Sequence, residues 1–136
     1  MKKLDNFANC LAILAGADFK MAETDDIYRT GIIGQFNLTF ELAWKALQEV
    51  MKRHGVAEAS TGSPREILQL AYKIGFINDA ETWLIMLKKR NTSVHIYNEE
   101  EIDELILLIR DSFIPAFTVL KNTLVEKLDE VESDWV

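Results

Sequence analysis

The sequence predicts an all-α protein, an up-and-down bundle of about five helices with a four-helix-bundle core, assembled as a dimer. Three observations predict this fold class. Apolar residues recur at intervals of three or four along most of the chain, which is typical of amphipathic helices. Capping residues and glycine terminators separate these stretches, and the alternating pattern of strands is nearly absent. The 136 residues, 49% of them hydrophobic, correspond to one domain with a packed core.

The first two helices are predicted over residues 2–17 and from about residue 25 to residue 54. The first ends near Gly16. His54 suits the negative end of the second helix dipole, and Gly55 is a natural terminator. The apolar stripe of the second helix consists of Phe36, Phe40, Ala43, Leu47 and Val50.

The third and fourth helices are predicted from their starting signals. The third opens with SPRE at 63–66, in which Ser63 is the cap, Pro64 takes the first helical position and Glu66 completes a capping box. It ends at Gly75. The fourth helix starts after residue 78 or 79 and runs to about residue 95.

The fifth helix starts with NEEE at 98–101, where Asn98 and Glu101 predict a second capping box. It continues past Pro115, where we expect a kink. Its apolar stripe consists of Ile102, Leu105, Ile109, Phe113, Leu120, Leu124 and Leu128. Other apolar residues lie off the stripe: Leu107, Leu108, Ile114 and Val119. Because a helix that is apolar on several faces is usually buried on several sides, this pattern favours a homodimer.

Composition limits the range of functions. We expect one helical domain over residues 1–128 and an acidic, frayed tail over residues 129–136. The net charge is −7, of which −4 lies in the last eleven residues. This balance argues against a general nucleic-acid-binding surface, so DNA is not expected as a partner, although a local basic patch is compatible with it. The apolar runs are too broken to span a membrane, and the single cysteine excludes an intrachain disulfide and favours a cytoplasmic location.

No metal ion and no cofactor is expected. The acidic runs at residues 25–26 and 99–101 fall at helix starts, where carboxylates act as caps. Two histidines and one cysteine form no recognisable metal-ligand set, and glycine-rich phosphate loops are absent from the sequence. Trp44, with Glu41 and Lys45, is interpreted as packing or dimer interface rather than as a ligand-stacking group. His54 is interpreted as a helix-terminal residue rather than as a ligand.

The basic residues Lys88, Lys89 and Arg90 form the densest cationic group and lead directly into NTSVH. Arg90 and Asn91 occupy positions where the apolar stripe of the fourth helix should continue. Polar groups there need partners or cost about 1–3 kcal/mol each. Either both are satisfied locally, or the helix turns outward, or they belong to a functional site.

Helical geometry adds a condition to the functional interpretation. At about 100° per residue, Arg90 and His95 lie about 140° apart and do not meet on one straight helix. A shared site requires the helix to break near His95, or two copies to contribute across a two-fold axis. An arginine and histidine without a metal suit RNA cleavage, in which histidine moves the proton of the 2′-hydroxyl and arginine holds the phosphate.

These residues resemble a known family, the HEPN proteins described as nucleotidyltransferase substrate-binding subunits and HepT-like toxins. The resemblance covers nearly the whole chain. It rests on QFNLTFELAWKAL at 35–47, SPREILQLAYKIGFI at 63–77, WLIMLKKRNTSVHIY at 83–97 and FIPAFTVL at 113–120. The family hallmark, arginine plus a polar residue and then histidine after a short gap, matches Arg90, Asn91 and His95. The HepT version adds a tyrosine that matches Tyr97. Many relatives carry an acidic residue in place of Asn37.

The resemblance implies a dimeric helical bundle and a minimal nucleotidyltransferase encoded nearby as partner. It further implies a metal-independent endoribonuclease toxin that acts on RNA and that the partner silences by transferring AMP to Tyr97. The implied catalytic residues are Arg90, Asn91 and His95, with Lys88 and Lys89 as supporting phosphate contacts. An older interpretation is a non-catalytic subunit that binds the substrate or nucleotide for its partner. Both are compatible with these residues, as is a purely structural scaffold.

Overall fold

The structure, a computed structural model, describes residues 1–95 and 98–133. The elements of this described part are all helical, which confirms the predicted all-α class. The α-helices are α1 Lys2–Ala15, α2 Asp26–Arg53, α3 Pro64–Ile74, α4 Ala80–Thr92, α5 Glu99–Leu108 and α6 Ile114–Ser133. Short 3₁₀ turns lie at Met21–Glu23, Ala57–Ser60 and Ser93–His95. No helix in the described part of the chain is long and apolar enough to cross a membrane.

The helix starts follow the predicted capping signals. Ser63 and Glu66 form the complete capping box of α3, with Pro64 in its first turn. Asp79 caps α4 by accepting a hydrogen bond from the backbone N–H of Thr82 at 3.0 Å. At α5, the side chain of Asn98 accepts a hydrogen bond from the backbone N–H of residue 101 at 3.1 Å, which is one of the two bonds of the predicted capping box. The local sequence therefore determines where these helices begin.

Helix α2 is the central element, and α1, α3, α4, α5 and α6 all pack against it. Phe36 of α2 stacks on Phe113, with ring centroids 5.2 Å apart. Phe40 packs against Trp83 of α4 at 6.2 Å, and Trp83 meets the edge of Phe117 of α6 at 5.5 Å. These fully buried aromatic contacts fix α4 beside the middle of α2. The C-terminal half of α4 is therefore held next to the polar residues of α2.

The predicted fifth helix is divided by a π-helical segment, Ile109–Phe113, between α5 and α6. Its buried residues 105, 109, 113 and 117 follow one another at intervals of four. In a regular α-helix, four residues turn about 40° more than one full turn, so these side chains would rotate away from the core. A π turn contains more residues than an α turn and compensates for this rotation. The irregularity thus lies immediately before Pro115, where the sequence predicts a kink. Helix α6 extends to Ser133, so residues 129–133 of the expected tail are helical.

Arg29 is a buried charged residue that joins the start of α2 to the start of α5. Its side chain is 9% exposed, and its guanidinium bonds Glu99 at 2.9 Å and Asp103 at 2.8 Å. Asp26 lies further away, at 3.6 Å. Because a buried arginine needs such partners, these ion pairs fix the position of α5 relative to α2.

Part of the apolar surface is not covered within one chain. On α2, two exposed apolar side chains, Ile27 at 86% and Leu38 at 48%, flank two glycines beside which a Cβ would meet nothing within 4 Å. We call residues 27, 31, 34 and 38 the outer stripe of α2. Of the off-stripe residues of the predicted fifth helix, Leu107 and Val119 are also exposed. The expected homodimer would cover such surface and stays a prediction.

Candidate functional site

Arg90, near the end of α4, is anchored to α2. Its Nη2 donates a hydrogen bond to Oε2 of Glu41 at 2.5 Å, and its Nη1 donates to Oδ1 of Asn91 at 3.1 Å. The side chains of Arg90 and Glu41 are 33% and 28% exposed, so the pair is partly shielded from water. The local satisfaction that the sequence left open as an alternative is therefore present for both Arg90 and Asn91.

Glu41 is the acceptor around which this network is built. Besides Arg90, it accepts a hydrogen bond from Nε1 of Trp44 at 3.1 Å and pairs with Nζ of Lys45 at 3.1 Å. Partial burial by itself raises the pKa of Glu41. Hydrogen bonds from Trp44 and Lys45 and the charges of Arg90 and Lys45 outweigh it, so this pKa lies below its ordinary value. Glu41 is therefore ionised at neutral pH and holds the guanidinium in place.

Ser93 ties the end of α4 to α2 at a second point. Its hydroxyl donates to the carbonyl oxygen of Arg90 at 3.1 Å and accepts a hydrogen bond from Nδ2 of Asn37 at 3.0 Å. The amide of Asn37 supplies a donor that a carboxylate lacks, so an acidic residue at this position could not make the same contact.

His95 is exposed and lies in the 3₁₀ turn Ser93–His95 that follows α4. The α-helix therefore ends at Thr92, earlier than predicted. With the ideal values of about 100° per residue in α4 and about 120° in the turn, Arg90 and His95 are expected about 160° apart around the axis, so this turn does not by itself join them in one site. Tyr97, the expected acceptor of AMP, lies outside the described residues.

Lys88 and Lys89 point in different directions. Lys88 is exposed and lines a groove together with Arg90 and Asn91, between α4 and the start of α3. Nζ of Lys89 lies 3.7 Å from a carboxylate oxygen of Glu104 on α5. The structure thus places Lys88 beside Arg90 and Asn91, and Lys89 on the side of α4 that faces α5.

The other histidine has a structural position, as interpreted from the sequence. Nε2 of His54 lies 2.6 Å from the carbonyl oxygen of Lys127, and its ring meets the ring of Phe76 edge-on at 5.4 Å. It joins the end of α2 to α6. Among residues 1–95 and 98–133, no three His, Cys, Asp or Glu side chains are grouped to hold a metal ion.

The sequence pattern identifies Asn91, but not Glu41, as part of the site with Arg90. Glu41, with Trp44 and Lys45, is interpreted from the sequence as packing or dimer interface. No role is predicted for Ser93 or for Arg65, which lines the same groove as Lys88. One signal for Glu41 existed, because Arg90 in an apolar stripe needs a carboxylate from a neighbouring helix. No pattern in the sequence indicates Arg65.

Comparison with known proteins places these residues in a family context. A sequence model of the family described as "nucleotidyltransferase substrate binding protein like" matches residues 2–126. A Haemophilus influenzae protein named "probable ribonuclease HepT" is 24% identical over 107 residues, 77% of this chain and 73% of that protein. A crystal structure of a Thermus thermophilus protein has a TM-score of 0.71 and 27% identity, covering 90% of this chain and 98% of that one. The family match spans all of α1 to α5 and most of α6.

Proposed function

The chain belongs to the nucleotidyltransferase substrate binding protein like family, and from this premise we propose that it is the HEPN-type partner of a minimal nucleotidyltransferase encoded nearby. In this proposal the two form a cytoplasmic toxin–antitoxin-like pair, and the chain is a metal-independent endoribonuclease. The observation that carries the proposal is the anchored guanidinium of Arg90. In the described contacts, two of its five N–H donors bond Glu41 and Asn91, and the others can donate hydrogen bonds to a phosphate.

The chemistry follows from the types of residue in the motif. Arg90 and Asn91 hold the non-bridging oxygens of the scissile phosphate and stabilise the charge that develops there. The 2′-oxygen of the RNA attacks phosphorus while the bond to the 5′-oxygen breaks, which leaves a 2′,3′-cyclic phosphate and a 5′-hydroxyl. His95 accepts the proton of the 2′-hydroxyl or returns one to the leaving 5′-oxygen, as an imidazole can near neutral pH.

A homodimer is part of the proposal because ideal helix and turn geometry places Arg90 and His95 about 160° apart around the axis in one chain. All residues of the outer stripe of α2 lie within about 40° of Ile27 around the helix axis. Glu41 lies about 40° from Ile27 as well and so stands at the edge of this stripe. A second copy packed on this stripe lies next to the Arg90–Glu41 pair. Its own His95 can then complete the site across a two-fold axis.

Control by AMP transfer completes this proposal. Tyr97 follows His95 by two residues, so an AMP group on its hydroxyl places a phosphate beside the motif. That anion competes with the RNA phosphate for Arg90, which inactivates the enzyme. The partner enzyme supplies the AMP from ATP and releases pyrophosphate. Incubation with the neighbouring nucleotidyltransferase and ATP is expected to add the mass of AMP at Tyr97, and a Tyr97→Phe chain is expected to stay unmodified.

The alternative function is a subunit that binds the substrate or a nucleotide for its partner and has no catalysis of its own. The family description and the groove beside Arg90 favour it. The acidic net charge of −7 also fits a protein that does not bind long RNA. In that case the chain forms a stable complex with the nucleotidyltransferase and changes its turnover, while RNA stays intact.

RNA cleavage in the presence of EDTA decides between these functions. The purified chain is expected to cut RNA, and His95→Ala is expected to lose this activity with an unchanged circular dichroism spectrum. His54→Gln is the matched control, because it removes the other histidine and retains a donor for the carbonyl of Lys127. Cleavage that persists in His95→Ala contradicts the assignment of His95. Intact RNA with the wild-type chain contradicts the ribonuclease function.

A further inference from the structure

The groove beside Arg90 has a size and polarity that the motif alone does not explain. It measures about 890 Å³, within the range of about 300–1,000 Å³ that is usual for ligand clefts. Arg65 from the first turn of α3 faces Lys88 and Arg90 of α4 at one end. Leu84 and the 37% exposed Ile85 form an apolar strip along it. The groove thus combines cations with an apolar surface.

Two of these cations have no carboxylate partner among the described ion pairs. Arg90 pairs with Glu41, whereas Arg65 and Lys88, both exposed, take part in none of the ion pairs within residues 1–95 and 98–133. Among the described lining residues, the one carboxylate is that of Glu81. It lies seven residues before Lys88 on α4, roughly 10 Å along the helix axis. Although the chain has a net charge of −7, this end of the groove is therefore locally basic, which favours an anionic ligand.

We propose that this groove binds the RNA strand next to the scissile phosphate. Arg65 and Lys88 hold neighbouring phosphates, and Leu84 and Ile85 pack against a base, since a single strand exposes both. The inference rests on the proposed ribonuclease function and deepens it, because Arg65 belongs to no motif and acquires a role in substrate binding. It also explains how an acidic protein engages RNA, through a short basic groove rather than through a basic face.

The test measures binding separately from cleavage. In a His95→Ala background and in EDTA, a short fluorescent single-stranded RNA is titrated with the chain, and its anisotropy is followed at several salt concentrations. Arg65→Ala and Lys88→Ala are each expected to weaken binding about three- to tenfold and to lower the slope of log affinity against log salt by about 0.7. Lys73→Ala is the matched control: it removes a cation from the other end of α3, outside the groove, and is expected to bind like its parent.

Each outcome has a distinct meaning. Suppose that the wild-type chain cleaves RNA and that the Arg65→Ala, Lys88→Ala and Lys73→Ala variants bind RNA equally well. This result refutes RNA binding in the groove but supports the ribonuclease function. Binding that depends on Arg65 and Lys88, without cleavage by the wild-type chain, supports the groove and refutes the ribonuclease. AMP and unlabelled RNA are also compared as competitors of the labelled RNA. If AMP displaces it at the same concentrations as unlabelled RNA does, the groove binds a mononucleotide, and the proposed RNA strand is wrong. Absence of RNA binding overturns the inference.

Discussion

Glu41 is the residue that determines how Arg90 can act. It holds the guanidinium in one orientation, but its negative charge also offsets part of the attraction of Arg90 for a phosphate. Its three donors, Arg90, Trp44 and Lys45, come from two helices, so the orientation of Arg90 depends on the packing of α4 on α2. Glu41 is a positioning residue in the proposed site, because it acts on the substrate through Arg90.

The first prediction concerns the stability that Glu41 contributes. Glu41→Gln is expected to lower the free energy of unfolding at pH 7 by about 0.5–1 kcal/mol, because the network is partly exposed and screened by water. The pKa of Glu41 in the folded chain lies below its ordinary value of 4.5. Its contribution is therefore complete above about pH 5 and is lost as the pH falls below 4.5 through the lowered pKa.

Urea unfolding of both chains between pH 7 and pH 3 checks this expectation. The difference between wild type and Glu41→Gln should close as the pH falls. Glu58→Gln, an exposed carboxylate in the turn Ala57–Ser60, serves as the control and should match the wild type at pH 7. A difference for Glu41→Gln that stays constant over the whole pH range contradicts the ionic origin of the effect.

At this scale the sequence predicted which residues are unusual, but not what they contact. Arg90 and Asn91 were identified because they interrupt an apolar stripe. The partner Glu41 lies 49 residues away in sequence, so only the packed bundle brings the two together. The Asn37–Ser93 contact spans 56 residues and was unpredictable for the same reason.

Among the helices, α2 and α5 are joined by the ion pairs of Arg29. Glu99 and Asp103 lie in the first turns of α5, directly after residues 96–98, and both bond Arg29. The carboxylates are 73% and 65% exposed, whereas the guanidinium is buried. The two sides of this ion pair therefore respond differently to substitution.

The second prediction follows from that asymmetry. Arg29→Met leaves two exposed carboxylates that water can solvate, and we expect a loss of about 1–2 kcal/mol in unfolding free energy. Glu99→Gln combined with Asp103→Asn leaves a buried guanidinium poorly paired, and we expect a larger loss of about 2–4 kcal/mol. Thermal and urea unfolding measure both. Glu100→Gln with Glu101→Gln controls for the helix dipole, and equal losses in the first two variants would refute the argument.

Helix boundaries were largely predictable because caps and glycines are local signals. The predicted starts at Ser63 and Asn98 are confirmed by their capping bonds, and Gly75 ends α3 in the left-handed conformation, with φ of +87°. The π segment Ile109–Phe113 was not predicted, because the sequence attributes the expected kink to Pro115. The signal lay in the four-residue spacing of the buried side chains.

For the molecule as a whole, the third prediction concerns the composite site. Arg90→Ala and His95→Ala chains are each expected to be inactive on RNA. If each site takes Arg90 from one copy and His95 from the other, mixed dimers contain one intact site of two. Since half of all dimers are mixed after equal amounts of the two chains exchange, about a quarter of wild-type activity should return. No recovery, despite exchange of subunits shown by differently tagged chains, would place both residues in one chain.

The fourth prediction concerns the face through which the proposed homodimer forms. Leu38→Glu puts a charge in the outer stripe of α2 and is expected to convert the dimer to monomer in light scattering coupled to gel filtration. Val119→Glu, on the exposed side of α6, is expected to leave the dimer intact. The reverse result would assign the interface to α6 and remove the support for a site shared through α2.

At this scale, the sequence predicted the helical bundle, whereas the homodimer stays a prediction. Helical periodicity gives the number of helices and their buried faces, since both depend on local spacing. The angle of about 140° between Arg90 and His95 on a straight helix requires either a break near His95 or a contribution from a second copy. The groove with Arg65 was not predictable, because it arises where the start of α3 meets the side of α4.

The π segment between α5 and α6 also concerns how chains of this kind can change in length. Its buried spacing of four, four and four contains one residue more than a regular helix needs. Deleting one exposed position, such as Arg110, converts the spacing to four, three and four and leaves the apolar faces of α5 and α6 where they are. We therefore expect relatives that differ by a single-residue gap at this segment to share the same bundle.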